Sequence, residues 1–343
     1  MDELTKMNGL VTLVMPVYNA EKFIREAIDS VIKQTYSNWE LIAVNDNSKD
    51  DSLVILKEYQ EIDSRIKVYS FDENHKPAIV RNFGIAKAKG DYIGFIDADD
   101  ICFEDRLEVQ VNFLKNNSTI DLCGGFWLRF GKNINYEQAY IKEHNEELKL
   151  AFIYENYIGN STVLARKEVF LSNVFNPEFV PMEDYELWTR IIMKHNLYNI
   201  QKPLVKYRLH DNNISDTIAV DYEGVKNSIQ LKYLKNIGFE SDDDELKYLK
   251  KGLQIGRAEG YKELEKILFA VHKFEAFQNE NHFFDKELIQ KTINQNINFY
   301  FKRLSSHRLK FMLFILKKRY RYFKILSVKT KVKFVLKSIF RWL

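Results

Sequence analysis

Strand and helix patterns alternate through the first hundred residues, and this alternation constrains the fold more than any other feature of the chain. Leu10–Met15 is a short β-rich run that Pro16 is expected to stop. Glu21–Gln34 places Ile24, Ala27, Ile28 and Val31 on one helical face. Glu40–Val44 reads as a second strand. Beyond it, Ser48 can cap a helix whose first turn holds Asp51. Ile66–Phe71 is a third strand, Pro77–Ala88 a third helix, and Tyr92–Ile96 a fourth strand that ends in Asp97-Ala98-Asp99-Asp100. Strands separated by helices predict an α/β chain with a Rossmann-like, mostly parallel, doubly wound sheet. Ligands of such sheets bind beyond the carboxyl ends of the strands. Pro16-Val17-Tyr18-Asn19, Asn45-Asp46, Phe71–Asn74 and Asp97-Ala98-Asp99 should therefore lie along one edge.

Several chemistries drop out early. The chain has no GxGxxG and no GxxxxGKS/T, so neither a dinucleotide fingerprint nor a P-loop is present. Its only two cysteines, Cys102 and Cys123, exclude a disulfide-built fold and a Cys-rich zinc module. With 45% hydrophobic residues over 343 positions, a sizeable core is available and global disorder is excluded. Residues 1–218 read as one α/β domain and 219–302 as a helical appendage carrying the acidic cluster Asp242-Asp243-Asp244-Glu245. Residues 303–343 form a basic, aromatic tail. The net charge of +3 conceals a split: 15 Lys and Arg and no acid follow Ile289, leaving −12 over residues 1–287. Such a split predicts an acidic body with an appendage that meets something anionic. No secretory signal is visible at Met1–Gly9, and no run of about 20 apolar residues exists, so the expected compartment is the cytosol.

Four groups can carry chemistry. Asp97 and Asp99, two apart in extended chain, point the same way. Like charges so close are unfavourable unless a cation joins them, and Mg²⁺ or Mn²⁺ would also take phosphate oxygens. A polar turn capping a helix near Glu104 would look the same. Arg81, with Asn74 in the preceding loop, offers a fork of donors suited to phosphate; an ion-paired arginine is the plainer alternative. Glu183-Asp184 ahead of Leu187-Trp188 is either a favourable charge at a helix N-terminus or a general base. His210, in Tyr207-Arg208-Leu209-His210 with Ser215 beyond, is a ligand or a structural histidine.

The order of these motifs narrows the choice. Val14-Met15-Pro16-Val17-Tyr18-Asn19, Val44-Asn45-Asp46-Asn47-Ser48, Arg81-Asn82-x-Gly84-Ile85, Asp97-x-Asp99-Asp100, Glu183-Asp184-x-x-Leu187-Trp188 and Tyr207-Arg208-x-His210 follow one another. Over about residues 8–218 the sequence resembles the family 2 inverting glycosyltransferases of the GT-A fold, of the type that builds bacterial cell-surface polysaccharides. Asn45 stands where that family usually has the first of two aspartates; Asp46 retains the second. The resemblance implies a nucleotide-sugar donor, most often a UDP-sugar, held along the strand edge. The backbone around Pro16, Val17 and Tyr18 and the side chain of Asp46 would read the base, with Asn74 and Arg81 against the nucleotide. Asp97 and Ala98 would lie near the ribose and metal, and Asp99 would ligate Mn²⁺ or Mg²⁺. His210 would close over the pyrophosphate or metal. Asp184 would deprotonate the acceptor hydroxyl, with Glu183 beside it as an orienter. Attack from the face opposite the leaving group needs only that one carboxylate and inverts the anomeric centre. The acceptor, by analogy alone, would be a cell-surface glycan or lipid-linked glycan, and the sugar a hexose or N-acetylhexosamine.

A glycoside hydrolase also uses carboxylates, but it needs an acid and a base flanking one bond and no nucleotide or metal site. A nucleic-acid-binding protein would use the basic tail. A sugar-binding module without activity would not need Asp97, Asp99 and Asp184. The tail itself favours a membrane over nucleic acid. As a helix, Ser327–Leu343 lines Lys329, Lys333, Lys337 and Arg341 along one face, intruded on by Phe340. Val328, Val332, Val335, Ile339 and Leu343 fall on another. That pattern suits an anionic membrane surface, and Phe311–Leu316 upstream is long enough to dip into the interface. The alternative is that the apolar face packs on the body or on a second subunit. The expectation is peripheral attachment to the inner face of the cytoplasmic membrane, with no nucleic-acid partner and a possible homo-oligomer.

Overall fold

The computed structural model describes residues 9–131, 134–211, 221–254 and 261–304, with backbone only at Asn135, Tyr261 and 301–304. Ser215, Phe311–Leu316 and the amphipathic stripe of Ser327–Leu343 lie outside the described residues. The described residues fall into two compact units, within Met1–Ala151 plus Asn156–Ile229 and within Phe152–Glu155 plus Gln230–Leu343.

The first unit is built on one sheet. Its first half is strictly alternating: β1 (Val11–Val17), α1 (Ile24–Ile32), β2 (Trp39–Asn45), α2 (Ser52–Ile62), β3 (Ile66–Ser70), α3 (Lys76–Lys87) and β4 (Tyr92–Phe95). After it come β5 (Ile101–Cys102), α4 (Arg106–Asn116), β6 (Leu122–Gly131), β7 (Ile134–Gln138), α5 (Asn145–Ala151), β8 (Leu164–Arg166), α6 (Glu168–Leu171), α7 (Glu183–Ile191) and β9 (Leu197–Leu209). The strand order is β3-β2-β1-β4-β8-β6-β9-β5, with β7 paired to β6. β1 to β4 are mutually parallel, β8 runs antiparallel between β4 and β6, and β6 is parallel to β9. The expected mostly parallel α/β sheet is thus present, with antiparallel strands in its second half. Every residue of β2 is buried and β1 is buried except at Pro16, as strands covered on both faces must be. The chain winds outward from β1 to β3, then returns to place β4 on the other side of β1. The crevice at that switch point is where such sheets take ligands.

Two local expectations are corrected. Pro16 does not end β1, which continues to Val17. The Val14 carbonyl accepts the Ile96 N–H on the β4 side, whereas Val17 accepts the Asp46 N–H on the β2 side. Alternation therefore turns Pro16 toward β4, past Val14 and Phe95 where the paired register ends, so its missing N–H breaks no ladder pair. Ser48 does not cap α2, which begins at Ser52. Its hydroxyl instead accepts the Asn19 N–H at 3.0 Å, joining the loop after β1 to the loop after β2.

The second unit is helical. It holds the end of α8 (Tyr222–Asn236), then α9 (Asp243–Leu253), α10 (Tyr261–Asn281) and α11 (Lys286–Leu304). Asp242 caps α9 by accepting the Glu245 N–H at 2.8 Å. Leu246, Leu249, Leu264, Ile267, Val271, Phe274, Ile293 and Ile297 are fully or almost fully buried in it. Gly252 lets α9 and α10 touch, since a Cβ there would stand 2.2 Å from the Val271 side chain. Among the described residues, no helix is long and apolar enough to cross a membrane.

Candidate active site

The loops after β1, β2 and β3 converge through side chains. The Asp46 carboxylate takes the His75 N–H at 2.7 Å on one oxygen and the Lys76 N–H at 2.9 Å on the other. These donors open α3, so a fixed anion sits at a helix N-terminus. Lys76 adopts a φ of 66° to aim its N–H there, a strained conformation for a residue with a Cβ. The Asn74 side chain donates to the Asp46 carbonyl at 3.3 Å. Asn19, at a φ of 49°, accepts the Lys49 N–H at 2.8 Å. Asn45 is buried and donates to the Ser70 hydroxyl at 2.9 Å. Val17 is buried beneath this cradle, while Tyr18 stands 50% exposed beside it.

Gly84 explains how Arg81 reaches the same edge. A Cβ at Gly84 would lie 2.3 Å from Val14 Cγ1, so only glycine lets α3 press on β1. Arg81 is one turn earlier on the same face. Its Nη1 donates to Glu183 Oε1 at 2.5 Å and its Nη2 to Asp97 Oδ1 at 2.8 Å. The guanidinium is buried against Phe175, 5.5 Å from the ring centre. Burial alone would lower its pKa; the Asp97 and Glu183 charges more than reverse this, so the pKa stays raised. The fork expected to face phosphate therefore spends both terminal nitrogens inside the protein.

The Asp97–Asp100 segment is a turn rather than extended chain, closed by the Asp100 N–H on the Asp97 carbonyl at 3.1 Å. The two carboxylates consequently take different partners. Asp97 Oδ2 accepts the Ser161 hydroxyl at 3.1 Å, and Asp99 Oδ2 meets His210 Nε2 at 2.8 Å. Ala98 is buried between them in sequence. Asp100 is fully buried; burial first, then the charges of Asp99 and Asp97, push its pKa well up. Its Oδ1 accepts the Arg208 N–H at 3.1 Å, while Arg208 Nε donates to the Asp99 carbonyl at 2.9 Å.

At the start of α7 the two acids differ. Glu183 is buried and locked to Arg81, with Oε2 lacking a hydrogen bond among the described residues. Asp184 is partly exposed, accepting the Tyr185 N–H at 2.6 Å and an Asn156 amide N–H at 3.4 Å. Burial, and then the Glu183 charge, push its pKa up to about 7, against the opposing pull of that N–H and Arg81.

Asp99 and His210 offer an oxygen and an imidazole nitrogen on one spot, donors that a Mn²⁺ or Mg²⁺ ion can use. Among the described residues no group of three or more His, Cys, Asp or Glu side chains is placed to hold an ion. These two donors alone are fewer than such an ion takes, so one held there would draw its remaining positions from a ligand's oxygens.

The structure joins Arg81, Asp97 and Glu183 in one hydrogen-bonded network with Asp184 next to Glu183 in the chain, pairs Asp99 with His210, and gathers Val17, Asp46 and Asn74 in another. Pro16, in β1, and Tyr18, just past its end, flank that second cluster. The sequence alone assigned no role to Ser161, Arg208 or Asn156. Only Arg208 carried a local signal, as a neighbour of His210 in its motif.

A model of "Glycosyl transferase family 2" matches residues 12–170. An uncharacterized glycosyltransferase of Haemophilus influenzae is 32% identical over 247 residues, 67% of this chain and 76% of that protein. The putative teichuronic acid biosynthesis glycosyltransferase TuaG of Bacillus subtilis is 31% identical, over 62% of this chain and 84% of its own. The Escherichia coli UDP-Glc:alpha-D-GlcNAc-diphosphoundecaprenol beta-1,3-glucosyltransferase WfgD is 34% identical, over 60% and 79%. Among solved structures, S. aureus TarS 1-349 in complex with UDP-GlcNAc superposes with a TM-score of 0.57 at 16% identity, covering 86% of this chain and 84% of that one. That likeness shows the fold, the GT-A-like arrangement of a mostly parallel sheet followed by helices. With the identity and coverage of its relatives, the chain belongs to glycosyl transferase family 2 and is a nucleotide-sugar glycosyltransferase.

Proposed function

We propose that this enzyme moves a sugar from a UDP-sugar to a hydroxyl of a cell-surface glycan or lipid-linked glycan, with inversion. One observation carries the reading: Arg81 grips Asp97 on the strand-end turn and Glu183 next to Asp184. One side chain thereby ties the donor turn to the acceptor-activating motif. TarS binds UDP-GlcNAc and WfgD bears a diphosphoundecaprenol acceptor in its name, which supports a UDP-sugar and a lipid-linked acceptor here.

In this reading Tyr18 stacks on the uracil, and Asp46, immobilised by α3, accepts its imide N–H with a remaining lone pair. Pro16, Val17 and Asn74 shape that pocket, and Asp97 and Ala98 lie near the ribose. Asp99 and His210 would hold Mn²⁺ or Mg²⁺, which would neutralise charge on the departing diphosphate. Arg81 acts from behind: it holds Asp97 and Glu183 in place and lends the site one positive charge. Asp184 takes the acceptor proton as the hydroxyl attacks the anomeric carbon, and a pKa of about 7 suits a base working near neutrality. Glu183 fixes the start of α7 and, by its charge, helps raise Asp184. Residues 1–218 would be the catalytic domain, 219–302 a helical appendage, and 303–343 a tail that keeps the enzyme on the inner face of the cytoplasmic membrane.

The test is a panel of nucleotide sugars with Mn²⁺, read by release of nucleoside diphosphate. Release of UDP from one or a few UDP-sugars is expected. Cleavage of glycosides without any nucleotide would point to a hydrolase and overturn the reading.

A further inference from the structure

Three residues between β7 and β8 form an open corner that the donor site does not use. Tyr140 is 73% exposed and Tyr157 is half-buried. Their rings meet at 85° with centroids 6.2 Å apart. Lys142 Nζ stands 5.2 Å from the Tyr140 ring centre, 6.0 Å from that of Tyr157 and 3.3 Å from the Tyr140 hydroxyl. Single exposed aromatics need no explanation. This corner is different because the protein fixes its backbone from below. Asn199 is fully buried, and its side-chain nitrogen donates to the Lys142 carbonyl at 2.8 Å and the Tyr157 carbonyl at 2.9 Å. A buried amide is costly unless it is bonded, and both N–H groups of this one are spent on holding the corner.

The corner also connects to the site. Asn156, the neighbour of Tyr157, donates to Asp184 Oδ2 at 3.4 Å, and its own oxygen takes the Ile158 N–H at 3.0 Å. The tyrosine is thus one residue away from a side chain that touches the proposed base, and Asn199 holds its carbonyl.

We propose that Tyr140, Tyr157 and Lys142 form the subsite that receives the acceptor's sugar ring. A pyranose has an apolar C–H face and a rim of hydroxyls. Two tyrosine rings set at right angles cover the face and one edge of such a ring, and the Lys142 ammonium donates to its hydroxyl oxygens. The rigid aromatic platform needs little ordering on binding. The inference rests on reading Asp184 as the base that deprotonates the acceptor, since that is what makes the adjoining corner the acceptor's place.

Saturation-transfer NMR on the full chain with UDP and Mn²⁺ tests it, using methyl β-D-glucopyranoside and methyl N-acetyl-β-D-glucosaminide as probes. The unmodified protein is expected to transfer saturation to the C–H protons of at least one glycoside. Tyr140→Ala and Tyr157→Ala should each weaken that binding by about two- to tenfold, the scale of one aromatic contact. Tyr140→Phe and Tyr157→Phe should retain it. Alanine variants that bind as well as the unmodified protein, or no transfer to either probe, would overturn the subsite. Loss in the phenylalanine variants as well would assign the effect to the fold and likewise reject stacking. Tyrosine-dependent binding in a protein that released no UDP from any donor would reject the proposed reaction and keep the subsite.

Discussion

Arg81 Nη1 lies 2.5 Å from Glu183 Oε1, a contact between residues 102 positions apart and both almost wholly buried. Removing one partner of a buried pair leaves an uncompensated charge, which costs about 3–5 kcal/mol. Arg81→Met should therefore destabilise the first unit by about that amount, measured by urea unfolding. Arg81→Lys should be intermediate, because one ammonium cannot repeat the two-pronged grip on Asp97 and Glu183. A melting curve unchanged by either substitution would contradict the buried bridge.

The pH dependence of turnover follows from Asp184. A general base works only when deprotonated, and burial holds Asp184, the proposed base, up to about 7. Turnover should fall about tenfold per pH unit below that value and level off above it. The same shift acts on stability with the opposite sign. Between about pH 4 and 7 the folded chain keeps a proton that the unfolded chain has lost, so unfolding free energy declines as pH rises through this window. A flat kcat profile from pH 5 to 8 would remove Asp184 from the role.

Asp184→Asn is nearly isosteric and should keep UDP binding while losing about 10²- to 10⁴-fold in turnover. Glu183→Gln should cost less turnover, since Glu183 faces Arg81 rather than the acceptor. The reverse ranking would move the base by one residue.

Metal dependence should trace to Asp99 and His210. Titration calorimetry of UDP with Mn²⁺ and with EDTA should differ for the unmodified protein. The difference should vanish in Asp99→Ala and shrink in His210→Ala. Equal UDP affinity with and without metal in the unmodified protein would refute the assignment.

The tail offers a separate test, because it lies outside the active-site argument. Each basic residue near an anionic leaflet contributes about 1 kcal/mol, so truncation at Arg303 should release the protein from anionic liposomes in a sedimentation assay. UDP-sugar hydrolysis should persist. A full-length chain that never co-sediments would end the membrane proposal.

What the sequence determined by itself was the alternation that builds β1 to β4, the edge on which Tyr18, Asp46 and Asp97 fall, and the family. These depend on local periodicity and on motif order, both written along the chain. Partnerships were decided only in three dimensions. Pro16 escapes the cost of its missing N–H because β4 has ended beside it. Asp97 and Asp99 part company because the chain turns at Asp100. Arg81 grips both Asp97 and Glu183, and Gly84 three residues on lets its helix seat closely on β1. Asp184 and Glu183 are adjacent acids with the same intrinsic chemistry. Packing alone gives one an arginine and leaves the other partly open with a pKa of about 7, since desolvation and neighbouring charge belong to the assembled site and not to the residue.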